Sequence, residues 1–177
     1  MLTAYARALA DDLREWCGAQ TPQLAFFVAE DPMRAYFILA GGGHRGGCCV
    51  LTVAGTRPHG ARPLRDVEYA DYDVVVGKAR DLRADPGAWM LDAEAVSGAR
   101  PMLQLVEDVR ARLMTAAFQA GTDEPAVLQP RGISAVTLPG TDIPLPAYRV
   151  SVELAQRVGF DDDADYRLHT VPPDPEP

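Results

Sequence analysis

AYRVSVELAQRV, residues 147–158, is the stretch on which the fold turns. Tyr148, Val150, Val152 and Leu154 alternate with Arg149, Ser151 and Glu153. Neighbouring side chains of a strand leave on opposite faces, so a period of two gives one apolar face and one polar face. A parallel strand covered by helices on both sides reads instead as a continuous apolar run. The alternation therefore predicts a strand in a mostly antiparallel sheet with one face on a core.

Moving back along the chain, VLQPRGISAVTLP (127–139) reads as a second strand with a Pro-Arg-Gly irregularity. PMLQLVEDVRARLMTAAFQAG (101–121) reads as a helix. Pro101 suits its first turn, Met102, Val106, Val109, Leu113 and Phe118 form its buried stripe, Leu105 and Met114 widen that stripe, and Gly121 closes it. Further back lie a strand at about 67–80 and another at CCVLTVAG (48–55). LAFFVA (24–29) and AYFILA (35–40) flank the turn-like EDPMR and are predicted to form a hairpin. Residues 2–17 show apolar side chains at helical spacing, with Gly18 expected as the left-handed residue that ends the helix. The predicted order is α-β-β-β-β-α-β-β, an α+β single domain over 1–160 with both helices on one face of the sheet. The acidic, proline-rich tail 161–177 is expected to lack stable structure on its own.

The chain has 177 residues, 47% of them hydrophobic, which suits one globular domain. Its net charge of −8 argues against generic binding to nucleic acid phosphates. Lys78 is the one lysine, so amine catalysis has a single candidate. No secretory signal is read at the N-terminus, and no run of about 18 apolar residues suggests a membrane span. Three cysteines, Cys17, Cys48 and Cys49, make no disulfide framework and suggest a reducing compartment. A bridge from Cys17 to Cys48 or Cys49 stays open, because sequence separation does not report distance.

GGGHRGGCCV (41–50) invites three chemical readings. As a phosphate loop it has glycines at 42 and 47, but Cys48 and Cys49 stand where lysine and a hydroxyl belong, and a strand follows instead of a helix. As a metal site it offers His44 and two adjacent cysteines, which a strand points to opposite faces. A cysteine nucleophile needs a positioned base, and His44, His59 and His169 all fall in expected loops or the tail. The expected role is a mobile glycine-rich hairpin tip between strands 35–40 and 48–55, with one cysteine inward and one outward, available as an assembly contact.

Other motifs fail in the same way. Gly132-Ile133-Ser134-Ala135-Val136 lacks the second glycine of a nucleophile elbow. Asp161, Asp163 and Asp165 begin like a calcium loop, but Tyr166 and Pro172 occupy its glycine and glutamate positions. Glu68, Asp71 and Asp73 read as a solvated sheet edge. Arg57, Arg62 and Arg65 make the 56–66 loop basic, which reads equally as a solvated connection and as a contact with an acidic neighbour. No catalytic residue, metal ligand or cofactor site is predicted.

The arrangement of elements, with GARPMLQLVEDVRARLM, VLQPRGISAVTLPG and PAYRVSVEL between 98 and 158, resembles the tail terminator and minor tail-completion proteins of tailed bacteriophages. It is a pattern of elements without an invariant signature, convincing over about a third of the chain, and the 41–66 insert and acidic tail lie outside it. The resemblance implies a non-enzymatic virion protein, assembled in the host bacterial cytoplasm. It also implies a homo-oligomeric ring, a hexamer by analogy, that contacts the tail tube and the head connector. Expected assembly contacts are His44, Arg45, Arg57, Arg62 and Arg65 on one side and Asp161, Asp162 and Asp163 on the other. A contractile injection system component shares this architecture. A small-molecule-binding module or small enzyme, with a pocket between sheet and helix near Tyr36, Trp89 or Tyr148, is the reading from a different class.

Overall fold

A computed structural model describes residues 2–30, 34–35, 37–38, 46–58, 67–78, 90–91, 100–115, 117–118, 126–137 and 144–157. In chain order the elements are α1 (Leu2–Gly18), β1 (Ala25–Ala29), β2 (Cys48–Pro58), β3 (Val67–Gly77), α2 (Met102–Thr115), β4 (Ala117–Phe118), β5 (Ala126–Val127), β6 (Gln129–Thr137) and β7 (Pro144–Arg157). Five strands form one sheet in the order β1-β2-β3-β7-β6, and β4 and β5 make a separate two-residue pair. Only β1 and β2 run parallel; the other pairings are antiparallel. The fold is the expected α+β domain, with five strands in its sheet rather than six.

Period-two patterning builds the core. Val150, Val152 and Leu154 of β7 lie opposite Val74, Tyr72 and Ala70 of β3, and Cys49 and Leu51 of β2 lie opposite Val76 and Val74. These side chains form one buried layer with Tyr5, Leu9, Leu13 and Cys17 of α1 and Met102, Leu105, Val106, Val109 and Leu113 of α2. The helical residues recur at three and four, so each helix lays one stripe on the same face of the sheet. Burying each large apolar side chain contributes about 1.5–3 kcal/mol before entropy is charged against it. Ion pairs tie the two helices to each other: Arg112 Nε donates to Asp12 Oδ2 at 3.0 Å.

Of the expected strand 35–40, Ala35, Phe37 and Ile38 are described, and none of them is extended. The described residues there, Arg34–Ala35 and Phe37–Ile38, are helical. Because β1 pairs with β2 in parallel, the chain must travel from Ala29 at one end of the sheet back to Cys48 at the other. A hairpin cannot make that return. Ala35 and Ile38, three apart, pack instead with Ala29, Val50, Val75 and Ala147 on the second face of the sheet.

Three boundaries also move. Gly18 is the last residue of α1, and its φ is not positive; the chain leaves through bonds from Ala19 N to Glu15 O and Gln20 N to Cys17 O. Helix α2 stops at Thr115, whose hydroxyl donates to the carbonyls of Ala111 and Arg112, so Phe118 pairs with Ala126 and does not extend the helical stripe. Strand β2 continues to Pro58, with a register shift between Val53 and Gly55, so Arg57 lies in a strand opposite Tyr69. The Pro-Arg-Gly irregularity is a bulge in β6, where Gly132 takes a φ of 153°.

Candidate functional site

The second face of the sheet carries the polar half of the alternation. Asp71 lies opposite Glu153 and Asp73 opposite Ser151, across the β3–β7 pair. Asp73 is only 7% exposed. The Ser151 hydroxyl donates to Asp73 Oδ1 at 2.6 Å, and Arg149 Nε lies 3.5 Å from Oδ2. Thr52 Oγ1 donates to the Asp73 backbone carbonyl at 3.4 Å, and Arg131 of β6 reaches Glu153 at 3.5 Å. A shallow depression of about 470 Å³ opens over this cluster, with Arg131 and Ser134 on its β6 side. The expected solvated edge at Asp71 and Asp73 is thereby corrected: β3 lies between β2 and β7, at the centre of the sheet. There the carboxylate of Asp73 meets a hydroxyl and a guanidinium, the partners a buried charge needs.

Chemically, this arrangement holds charge in place. Ser151 donates to a carboxylate with no imidazole between them, which does not make an activated nucleophile. Among the described residues no three His, Cys, Asp or Glu side chains are grouped to hold a metal ion. A second depression, about 400 Å³, lies between α1 and α2 beside Trp16. Of its two guanidiniums, that of Arg100 donates to Asp108 Oδ2 and to Gln20 Oε1, both at 2.7 Å. Lys78, 3% exposed, donates to the Arg100 carbonyl at 2.9 Å and so staples the end of β3 to the start of α2. No helix among the described residues is long and apolar enough to cross a membrane.

The three cysteines are free and buried. Cys49 lies in the helix-facing core with Cys17, and Cys48 points to the other face, as adjacent strand residues must. Neither face is open there: Cys48 is 1% exposed, so the expected outward cysteine is covered. Burial pushes the Cys48 thiol up to about 12. The Cys49 thiol is raised well above its ordinary value by its hydrogen bond to Cys17 and by burial. Thiols held protonated in this way are poor nucleophiles.

Of the expected assembly contacts, His44, Arg45, Arg62, Arg65, Asp161, Asp162 and Asp163 lie outside the described residues, as does the side chain of Arg57. Tyr36 and Trp89 lie outside as well. The end of the glycine-rich stretch is described and is structural. Gly47 has a φ of 106°, and a Cβ there would stand 2.7 Å from Leu105 Cδ2. Gly47 thus leads into β2 packed against Leu105 of α2 and Leu24.

The pattern along the sequence did not single out the two outer strands. Eight of the nine residues of β6 are exposed, with only Val136 half-buried, and Ile133 is 39% exposed. At the opposite edge Val28 of β1 is 56% exposed. No protein-family model matches this chain, and no curated protein matches it.

Proposed function

We propose that this chain is a structural protein of a tailed-bacteriophage tail, of the tail-terminator or tail-completion type. In this reading copies of the chain join head to tail into a ring, a hexamer by analogy, seated on the tail tube against the head connector. The observation that carries the reading is the pair of sheet edges, β1 and β6, that no other described strand pairs with. β6 and β1 each expose apolar side chains, and β1 bears no charge while β6 bears only Arg131. A chain that functions alone normally blunts such edges with charge or covers them. The charged groups of the Asp73 and Arg100 clusters also find partners within the fold, which suits a chain that works through its outer surfaces. A net charge of −8 suits a wall that lets DNA pass without gripping its phosphates.

The depression over Asp73 favours a second reading, a small-molecule-binding module. Electron microscopy separates the two. The purified chain is added to tail tubes of the phage or prophage that encodes it, made without this protein. A ring at the tube end is expected; bare tube ends contradict the proposal. Capsid, portal or tape-measure genes beside the coding sequence support it, and metabolic genes count against it.

A further inference from the structure

The proposed ring needs a head-to-tail contact in which two different surfaces of the chain meet. Resting on that reading, we infer that the contact is a strand pairing between the β6 edge of one copy and the β1 edge of the next, which continues the five-stranded sheet across the boundary.

Strand direction fits. The pairings make β1, β2 and β7 run one way and β3 and β6 the other. With neighbouring copies in the same orientation, β6 therefore meets β1 antiparallel. Among the described residues both outer backbones are open, because β6 pairs only with β7 and β1 only with β2. Added strands gain main-chain hydrogen bonds along their length, and side chains on the two faces set the register.

The faces fit in one register. Ile133 lies opposite Val150 and Val28 opposite Leu51, which places both on the helix-bearing face. They are also exposed apolar side chains, at 39% and 56%. Setting Ile133 against Val28 puts Ala135 beside Phe26 on the same face, and Ser134 and Gly132 beside Phe27 and Ala29 on the other. The same register brings Arg131, half-exposed at the β6 bulge, opposite Glu30, the exposed residue that follows β1. Arg131 keeps its ion pair to Glu153 on the second face, and Glu30 adds an opposite charge at the neighbouring position across the edge. A two-fold pairing of β6 with itself leaves the Val28 edge open and offers Arg131 no acid from the second copy.

The test uses Val28→Lys and Ile133→Glu in the full chain, followed by sedimentation velocity across a range of concentrations. Both side chains are exposed, so each variant is expected to keep the circular dichroism spectrum and melting temperature of the parent. Each alone places an unmatched charge in the contact and weakens self-association by about tenfold or more. An equal mixture of the two restores it, because one contact is then native and the next pairs lysine with glutamate. The double variant in one chain also restores it.

Self-association that neither variant weakens, or that mixing does not restore, overturns this pairing and leaves the ring reading standing. Weakening by Ile133→Glu alone points to the two-fold contact and likewise overturns it. A parent chain that stays monomeric up to about 1 mM removes both this pairing and the ring.

Discussion

Gly47 has no room for a side chain. Its backbone lies under Leu105 and Leu24, and its φ of 106° belongs to glycine. Gly47→Ala is expected to lower stability by about 1–3 kcal/mol through overpacking and backbone strain, read as a shift in the denaturant midpoint. Tyr72 predicts the opposite sign. It is fully buried, and its hydroxyl has no hydrogen-bond partner among the described residues. Tyr72→Phe removes that unmet group and should raise stability by about 1 kcal/mol. Buried acids also set the alkaline limit of the fold. Burial holds Cys48, ordinarily near 9.0, and Tyr72, ordinarily near 10.0, protonated up to about 12. Above pH 9.0 the unfolded chain releases protons that the folded chain keeps. Stability from these groups is therefore complete below that pH and is lost as pH rises toward about 12. Melting temperatures measured upward from neutral pH should fall across this window, and less steeply in Cys48→Ala.

Among the elements, β7 was readable in the sequence because period two over Tyr148–Leu154 has no helical counterpart. α2 was readable because its stripe recurs at three and four. AYFILA was not readable: a six-residue apolar run has no period that separates strand from helix, and its fate follows from a parallel pairing of β1 with β2. Nor did the sequence place Asp73 at the centre of the sheet, because its partner Ser151 lies 78 residues away. The pairing makes a prediction at this scale. Asp73→Ala strands the Arg149 guanidinium on a half-buried face and should cost about 1–3 kcal/mol; Ser151→Ala, which removes one hydroxyl, should cost less. Chemical denaturation of the two variants and their double mutant measures the coupling.

For the molecule as a whole, composition and patterning gave the α+β class. The two outer strands were hidden, because chain order does not reveal sheet order. β7 inserts between β3 and β6, which leaves the sixth strand of the chain on one outside edge and the first on the other. The expected basic and acidic contact residues lie outside the described residues, apart from Arg57 in β2, so the proposed assembly contact is assigned to those edges. Amide hydrogen exchange across residues 132–136 and 25–29, compared between dilute and concentrated protein, tests it most directly. Pairing of these edges predicts that the outward-facing amides of both segments exchange fast when dilute and become protected together on concentration. Equal exchange in both segments at both concentrations would contradict it.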